Sequence, residues 1–263
     1  MYPIIDFFGI NIHTYSIMAF LGLTAAVIYC LTACRHNGID LENEICMLAT
    51  ALLFLFVFAV LLYWITRIPD IIRLFPYIFT DFKYFAGSIG FGLVFYGGLF
   101  GAFTGCIIYG KLLHMDIRPM VKVSVPAVPL FHIFGRLGCF FAGCCHGIEN
   151  HHFGIVINNI PYLPVQLYEA FGNLVIFMIL LFRRNFAKSC YESIGIYGVT
   201  YGVMRFLLEF LRGDYLRGHL GIFSTSQWIS LFLIALGIYC LVRPENKNFL
   251  NRFFTLQKSR INI

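Results

Sequence analysis

The chain has 263 residues, of which 59% are hydrophobic, 18% aromatic and only 12% charged, where a soluble domain carries roughly 25% charged residues. That balance excludes a soluble enzyme and a disordered chain. The formal charge of +6 rests on 19 Lys and Arg residues spread over short connections with no basic stripe or nucleic-acid motif, so contact with anionic membrane lipids explains it better than nucleic acid.

A helical span takes about 20 mostly apolar residues. In chain order the sequence offers Tyr15 to Ala33, Ile45 to Ile65, Ile89 to Tyr109, Val121 to Phe141, Val165 to Phe182, Ile194 to Phe210 and Gln227 to Val242. The expected fold is therefore all-α, a polytopic membrane helical bundle of about seven transmembrane helices. It is read as one domain over residues 1–263, ending in a basic cytoplasmic tail over 243–263. Met1 to Thr14 has no basic leader or small-residue cleavage site, so the first span is expected to be retained. The connection from Thr66 to Ser88, with Pro69, Pro76 and several aromatics, reads as an ordered external or interfacial segment.

Orientation follows from Lys and Arg, which accumulate in short cytoplasmic loops. With the N-terminus outside, the inner set is Arg35, Lys111, Arg118, Lys122, Arg183, Arg184, Lys188, Arg243, Lys247, Arg252, Lys258 and Arg260, twelve in all. The outer set is Arg67, Arg73, Lys83, Arg212 and Arg217, only five. This places the N-terminus outside and the C-terminus in the cytoplasm.

Charges inside the spans are the most informative residues, since each costs about 3 kcal/mol at a span centre. In HIFGRLGCFFAGCCHG, His132 to Gly147, Arg136 stands between Gly135 and Gly138. Glycines alone suit close helix packing, whereas an intramembrane guanidinium suits either an ion pair or bidentate binding of phosphate or carboxylate. In YGVMRFLLEFLRGD, Tyr201 to Asp214, Arg205 and Glu209 are four apart and share a helix face. They read as a structural pair or as one that also orients an anionic substrate, and Arg212, a turn further on, as a headgroup contact or a snorkelling side chain.

PVQLYEA, Pro164 to Ala170, sets Gln166 and Glu169 three apart, facing one groove at a helix start. FYGGLFG, Phe95 to Gly101, brings Tyr96 to the pair Gly97 and Gly98, and NIHTYSIM, Asn11 to Met18, brings His13 and Tyr15 to the outer end of the first span. Of the nine cysteines only Cys139, Cys144 and Cys145 cluster. Their C-x4-C-C spacing is not a usual zinc signature. Packing, neutral lining and thiol chemistry all remain open for them, and no metal is expected.

These motifs, taken together and in order, resemble the bacterial phosphatidylglycerol:prolipoprotein diacylglyceryl transferase family. The series runs INIHTYSIM, FYGGLFG, GRLGCFFAGCCHG, LPVQLYE, YGVMRFLLEF and STSQW over nearly the whole chain. The resemblance implies a multi-pass enzyme of the bacterial cytoplasmic (inner) membrane. It would move the diacylglyceryl group of phosphatidylglycerol onto the lipobox cysteine of a prolipoprotein signal peptide, releasing glycerol phosphate. It implies Arg136 as the phosphatidylglycerol-binding arginine, Arg205 and Glu209 as the sixth-span pair, Tyr15 as the first-span tyrosine and Gly147 as the glycine closing the signature. The catalytic set expected is thus Arg136, Arg205, Glu209, Tyr15 and Tyr96. The substrate-binding set is Arg136, Gly97, Gly98, Cys139, Cys144, Gly147, Gln166 and Glu169.

Three positions depart from the family pattern: Tyr96 stands where a histidine usually precedes the double glycine, Cys139 replaces an asparagine and Cys144 a glutamate. The alternatives are a related membrane transferase with another acceptor, a membrane thiol redox protein using Cys144 and Cys145, and a lipid or solute transporter. No ATP loop, dinucleotide fingerprint or haem-attachment motif occurs, so no cofactor is expected.

Overall fold

The computed structural model describes residues 4–7, 10–90, 92, 94–157, 159–184, 189–213 and 219–242. The expected basic tail at 243–263 and the side chain of Tyr96 lie outside the described residues. The elements run β1 (Ile4–Phe7), β2 (Ile10–His13), α1 (Thr14–His36), α2 (Leu41–Thr66), α3 (Ile68–Leu74), α4 (Tyr77–Thr80), α5 (Phe82–Ile89) and α6 (Phe95–Leu112). They continue with α7 (Arg118–Ser124), α8 (Ala127–Ala142), β3 (Ile155–Ile157), β4 (Ile160–Tyr162), α9 (Val165–Arg184), α10 (Cys190–Glu209), β5 (His219–Leu220), β6 (Phe223–Ser224) and α11 (Thr225–Val242).

Among the described residues, five stretches are long and apolar enough to cross a membrane: Thr14–His36, Leu41–Thr66, Arg118–Ala142, Val165–Arg183 and Thr225–Val242. They carry outward-facing Phe20, Leu53, Phe171, Met178 and Phe232, all well exposed. A soluble protein would not present so much apolar surface, and a multi-pass membrane protein would. The other two stretches read as spans are also helices, α6 and α10. Glycines, tyrosines and the buried charges of α10 lower its apolar character. Two of the differences from the expected spans have a local backbone cause. The third helix starts at Phe95 rather than Ile89, because Gly90, with a positive φ of 68°, caps α5. The fourth is broken between α7 and α8, where Pro126 has no N–H to continue the ladder.

The chain packs as two compact units, one built from residues up to Ile39 and from Arg118 onward, the other from Asp40–Ile117. In the first, α1 lies against α8, α8 against α9, and α10 against α9 and α11. Val125, Ile176, Leu180 and Tyr201 form its apolar core, with Met204 and Leu233 packed onto them. Helix starts are capped locally. Ser224 accepts from Gln227 N (3.2 Å) while Gln227 Oε1 accepts from Ser224 N (3.0 Å), a reciprocal box that opens α11.

The second unit is organised by α2 and α6. Gly97, Gly101 and Gly105, one turn apart on α6, lie against the backbone of Phe58, Phe54 and Thr50 on α2. Without water to drive association, such close backbone approach is what holds membrane helices together. The connection expected to be interfacial is α3 to α5, with Ile72, Phe79 and Phe82 exposed along it.

A Cβ at Gly101 would strike backbone that cannot yield, whereas one at Gly87 meets no atom within 4 Å. Gly101→Val should therefore destabilise the protein by about 1–3 kcal/mol, read as a lower melting temperature in detergent. Gly87→Ala should not lower it.

Candidate active site

The site of the first unit is assembled around one carboxylate. Glu169 sits in the first turns of α9, almost fully buried, and three arginines from three other segments converge on it. Arg136 of α8 engages Glu169 Oε2 through Nε. Arg205 of α10 reaches Oε1 with Nη1 at 3.0 Å, and Arg212, past the end of α10, brings Nη1 to 3.5 Å from the same oxygen.

Arg205 turns its other terminal nitrogen to Glu209 Oε2 (2.7 Å) and to Ser226 Oγ (3.2 Å). Glu209 in turn accepts from Ser224 Oγ at 2.8 Å. The capping box of α11 is thereby joined to the charge network. Among the described residues, three guanidiniums face two carboxylates, a formal excess of one positive charge. Accessibility divides them: Arg136 keeps 24% of its side chain exposed, against 8% for Arg205 and 3% for Arg212.

The loop after α8 completes the surroundings. Gly143, left-handed at φ 73°, ends the helix, and Cys144 N returns to Cys139 O at 3.1 Å. Gln166 Nε2 donates to Cys144 O at 2.6 Å, fastening that loop to the start of α9. Arg212 and the Cys139 thiol face Cys145, and these contacts hold its thiol below the ordinary range, with the Cys139 hydrogen bond the larger cause. Gly147 is the junction: its N–H donates to Leu163 O (2.8 Å), Ile148 N donates to Leu211 O (2.9 Å), and Gly147 pairs with Arg212. A Cβ on Gly147 would lie 2.5 Å from Leu211 O and 2.6 Å from Val165 Cγ2, so only glycine lets these three segments meet. Tyr15 lies over Gly138, whose Cβ would sit 3.2 Å from the tyrosine Cδ2.

Arg136, Arg205, Glu209, Gln166, Glu169, Cys139, Cys144, Gly147 and Tyr15 thus fall within one unit and around one network. Gly97 and Gly98 belong to the other unit, where Gly97 contacts the Phe58 backbone and Gly98 the side chain of Leu55. Sequence reasoning left Arg212 outside the site as a headgroup contact or snorkelling residue. It is buried on Glu169 instead. Ser224 and Ser226 were also missed, although STSQW carries the capping signal that places them.

A family model for prolipoprotein diacylglyceryl transferase matches residues 3–243. The chain belongs to that family. It is 35% identical over 249 residues to the phosphatidylglycerol–prolipoprotein diacylglyceryl transferase of Clostridium tetani (strain Massachusetts / E88), covering 91% of this chain and 96% of that protein. It is 29% identical over 241 residues to enzyme 2 of that name from Clostridium perfringens (strain 13 / Type A), covering 89% and 91%. With the like-named protein of Finegoldia magna (strain ATCC 29328 / DSM 20472 / WAL 2508) it shares 26% identity over 249 residues, covering 91% and 94%. The family is therefore one of membrane enzymes, and the buried charge network sits in the segments whose motifs resemble it.

Glu169→Gln removes the carboxylate charge that three guanidiniums share. Stability should fall by about 3–5 kcal/mol, as expected when buried charges lose their partner. The exposed Arg67–Asp70 pair, at 2.6 Å with both side chains over 40% exposed, is the control. Asp70→Asn should leave the detergent melting temperature unchanged.

Proposed function

We propose that this protein transfers the diacylglyceryl group of phosphatidylglycerol to the lipobox cysteine thiol of prolipoproteins and releases glycerol phosphate. It does so in the bacterial cytoplasmic (inner) membrane, through seven spans with the N-terminus outside and the C-terminus cytoplasmic. The observation that carries this reading is Arg136. It is anchored through Nε on Glu169 and is the most accessible of the three arginines. Its terminal nitrogens are the part of the fork available to a phosphodiester, which a guanidinium matches bidentately.

The chemistry follows from charge. When the thiol sulfur displaces phosphate from a glyceryl carbon, negative charge grows on the leaving oxygen. A fixed cation in a water-poor site stabilises that charge as it develops and needs no reorganisation to do so. Arg205, Arg212 and Glu169 hold Arg136 in place, while Glu209 and Ser226 hold Arg205. These are positioning roles. Gln166 and Gly147 shape the loop beside the phosphate, and Tyr15, in the first turn of α1, covers Gly138. The energy for transfer resides in the lipid phosphodiester, so no nucleotide is required.

The test is a mass shift. Purified protein in detergent is incubated with phosphatidylglycerol and a synthetic signal peptide containing a lipobox, beside the same peptide with cysteine changed to serine. One diacylglyceryl group should be gained by the cysteine peptide alone. Arg136→Ala should lower the rate about 10²–10³-fold with the protein still folded, and Arg136→Lys should recover only part of it because the planar fork is lost. Full activity in Arg136→Ala overturns the phosphate role. Lipid consumption without peptide modification points to a different acceptor.

A further inference from the structure

The three clustered cysteines form a constellation that their spacing in sequence does not announce. Their sulfur atoms all lie within 4.8 Å of one another, and all three are free thiols. Cys139 occupies the last turn of α8, and the left-handed Gly143 turns the chain back so that the next two residues return to it. Cys145 is itself left-handed at φ 62°. That conformation is costly for a residue with a side chain and persists only where the surroundings impose it. Here it directs the Cys145 thiol, like that of its neighbour Cys144, toward Cys139. The Gln166 amide holds the backbone of Cys144 at 2.6 Å.

Three sulfurs at the zinc–thiolate bond length of roughly 2.3 Å in a tetrahedron stand about 3.8 Å apart. The present cluster, within 4.8 Å, is wider than that by about 1 Å at most. Three protein ligands also leave one corner of the tetrahedron free, the pattern of zinc sites that act on a bound substrate. Zinc with three thiolates carries a net charge of −1. The network's net excess of one positive charge lies beside it, through Arg212 at Cys145 and Arg136, three residues before Cys139 on α8.

We propose that Cys139, Cys144 and Cys145 bind a zinc-class divalent cation whose fourth position takes the lipobox thiol of the incoming peptide as a thiolate. The second half of this proposal rests on the transferase reading above. On coordination the substrate S–H proton passes to solvent. The sulfur lone pair then attacks the glyceryl carbon, the C–S bond forms as the C–O bond to phosphate breaks, and the leaving phosphate keeps the electron pair beside Arg136. The product is a thioether, a far weaker ligand than a thiolate, and so leaves the metal. No oxidation state changes. A metal-bound thiolate also dispenses with a dedicated base.

The experiment uses the full chain purified in detergent without chelator, with metal content measured by mass spectrometry and thiols counted on the intact protein. About one zinc per chain is expected for the wild type and for Cys46→Ser, which alters an exposed cysteine of the other unit. Cys144→Ser changes the most exposed member of the cluster and should lose most of the metal while staying folded. Cobalt(II) in place of zinc should show a thiolate charge-transfer band that changes on adding the lipobox peptide and not its serine counterpart. Stripping the metal should slow lipidation about a hundredfold, and zinc should restore it.

No uptake of zinc or cobalt, a disulfide among the three residues in the active protein, or metal retained in Cys144→Ser overturns the site. Full transfer by stripped protein, or a cobalt band unmoved by peptide in an active preparation, overturns the role in presenting the thiol. A bound metal and a peptide-sensitive band in protein that modifies no peptide would uphold the site and count against the transferase reading instead.

Discussion

Everything in the first unit depends on a single buried carboxylate that three guanidiniums share. A lone carboxylate in an apolar interior carries a heavy desolvation penalty. With Arg136, Arg205 and Arg212 around it, Glu169 becomes a tether between α8, α9, α10 and the segment after α10. The second tether, Glu209, adds α11 through Ser224 and the Arg205 contact with Ser226. A buried ion network of this kind adds little stability over a well-packed apolar core. What it does here is fix which helix face meets which, because any rotation of α10 would leave a charge without its partner.

Glycine does the complementary work of bringing backbones close enough for those side chains to meet. Gly147 lets the strand-like segments at Leu163 and Leu211 dock on the loop behind Cys145, which sets the position of Glu169 from one side and of Arg212 from the other. Gly138 does the same for α1, admitting Tyr15 and Met18 against α8. The charged residues and the glycines are therefore one device. The network needs short distances in a medium without water, and only chain segments without side chains at the contact provide them.

Sequence made the costly residues visible and the cheap ones invisible. Arg136, Arg205 and Glu209 stood out because a charge inside an apolar run demands an explanation. Glu169 drew only a local reading beside Gln166, since its role as the common partner is created by tertiary contacts between segments far apart in the chain. Arg212 looked like a boundary residue because it follows the last apolar stretch of its helix, yet the chain folds back there and buries it. The helices themselves were legible from hydropathy, and their breaks were legible in principle, Pro126 for the fourth and Gly90 for the third. The short hairpins β1–β2 and β3–β4 were not, since a few residues paired in a ladder leave no period long enough to recognise.

The unequal exposure of the three arginines has a consequence for catalysis. A site that bound lipid phosphate as tightly before reaction as during it would gain affinity and no rate. A phosphodiester carries one negative charge, and as its C–O bond breaks the leaving phosphate moves toward two. Arg205 and Arg212 are committed to carboxylates and are shielded from the solvent side, so the charge they contribute is already largely balanced. The excess of one positive charge, with Arg136 as its accessible end, therefore faces one negative charge before reaction and nearly two as the bond breaks. In the proposed reaction the interaction strengthens along the path to cleavage, which is the condition for it to lower the barrier. The buried pair of arginines keeps Arg136 from following the lipid before reaction, and that restraint is what makes the increase available to the transition state.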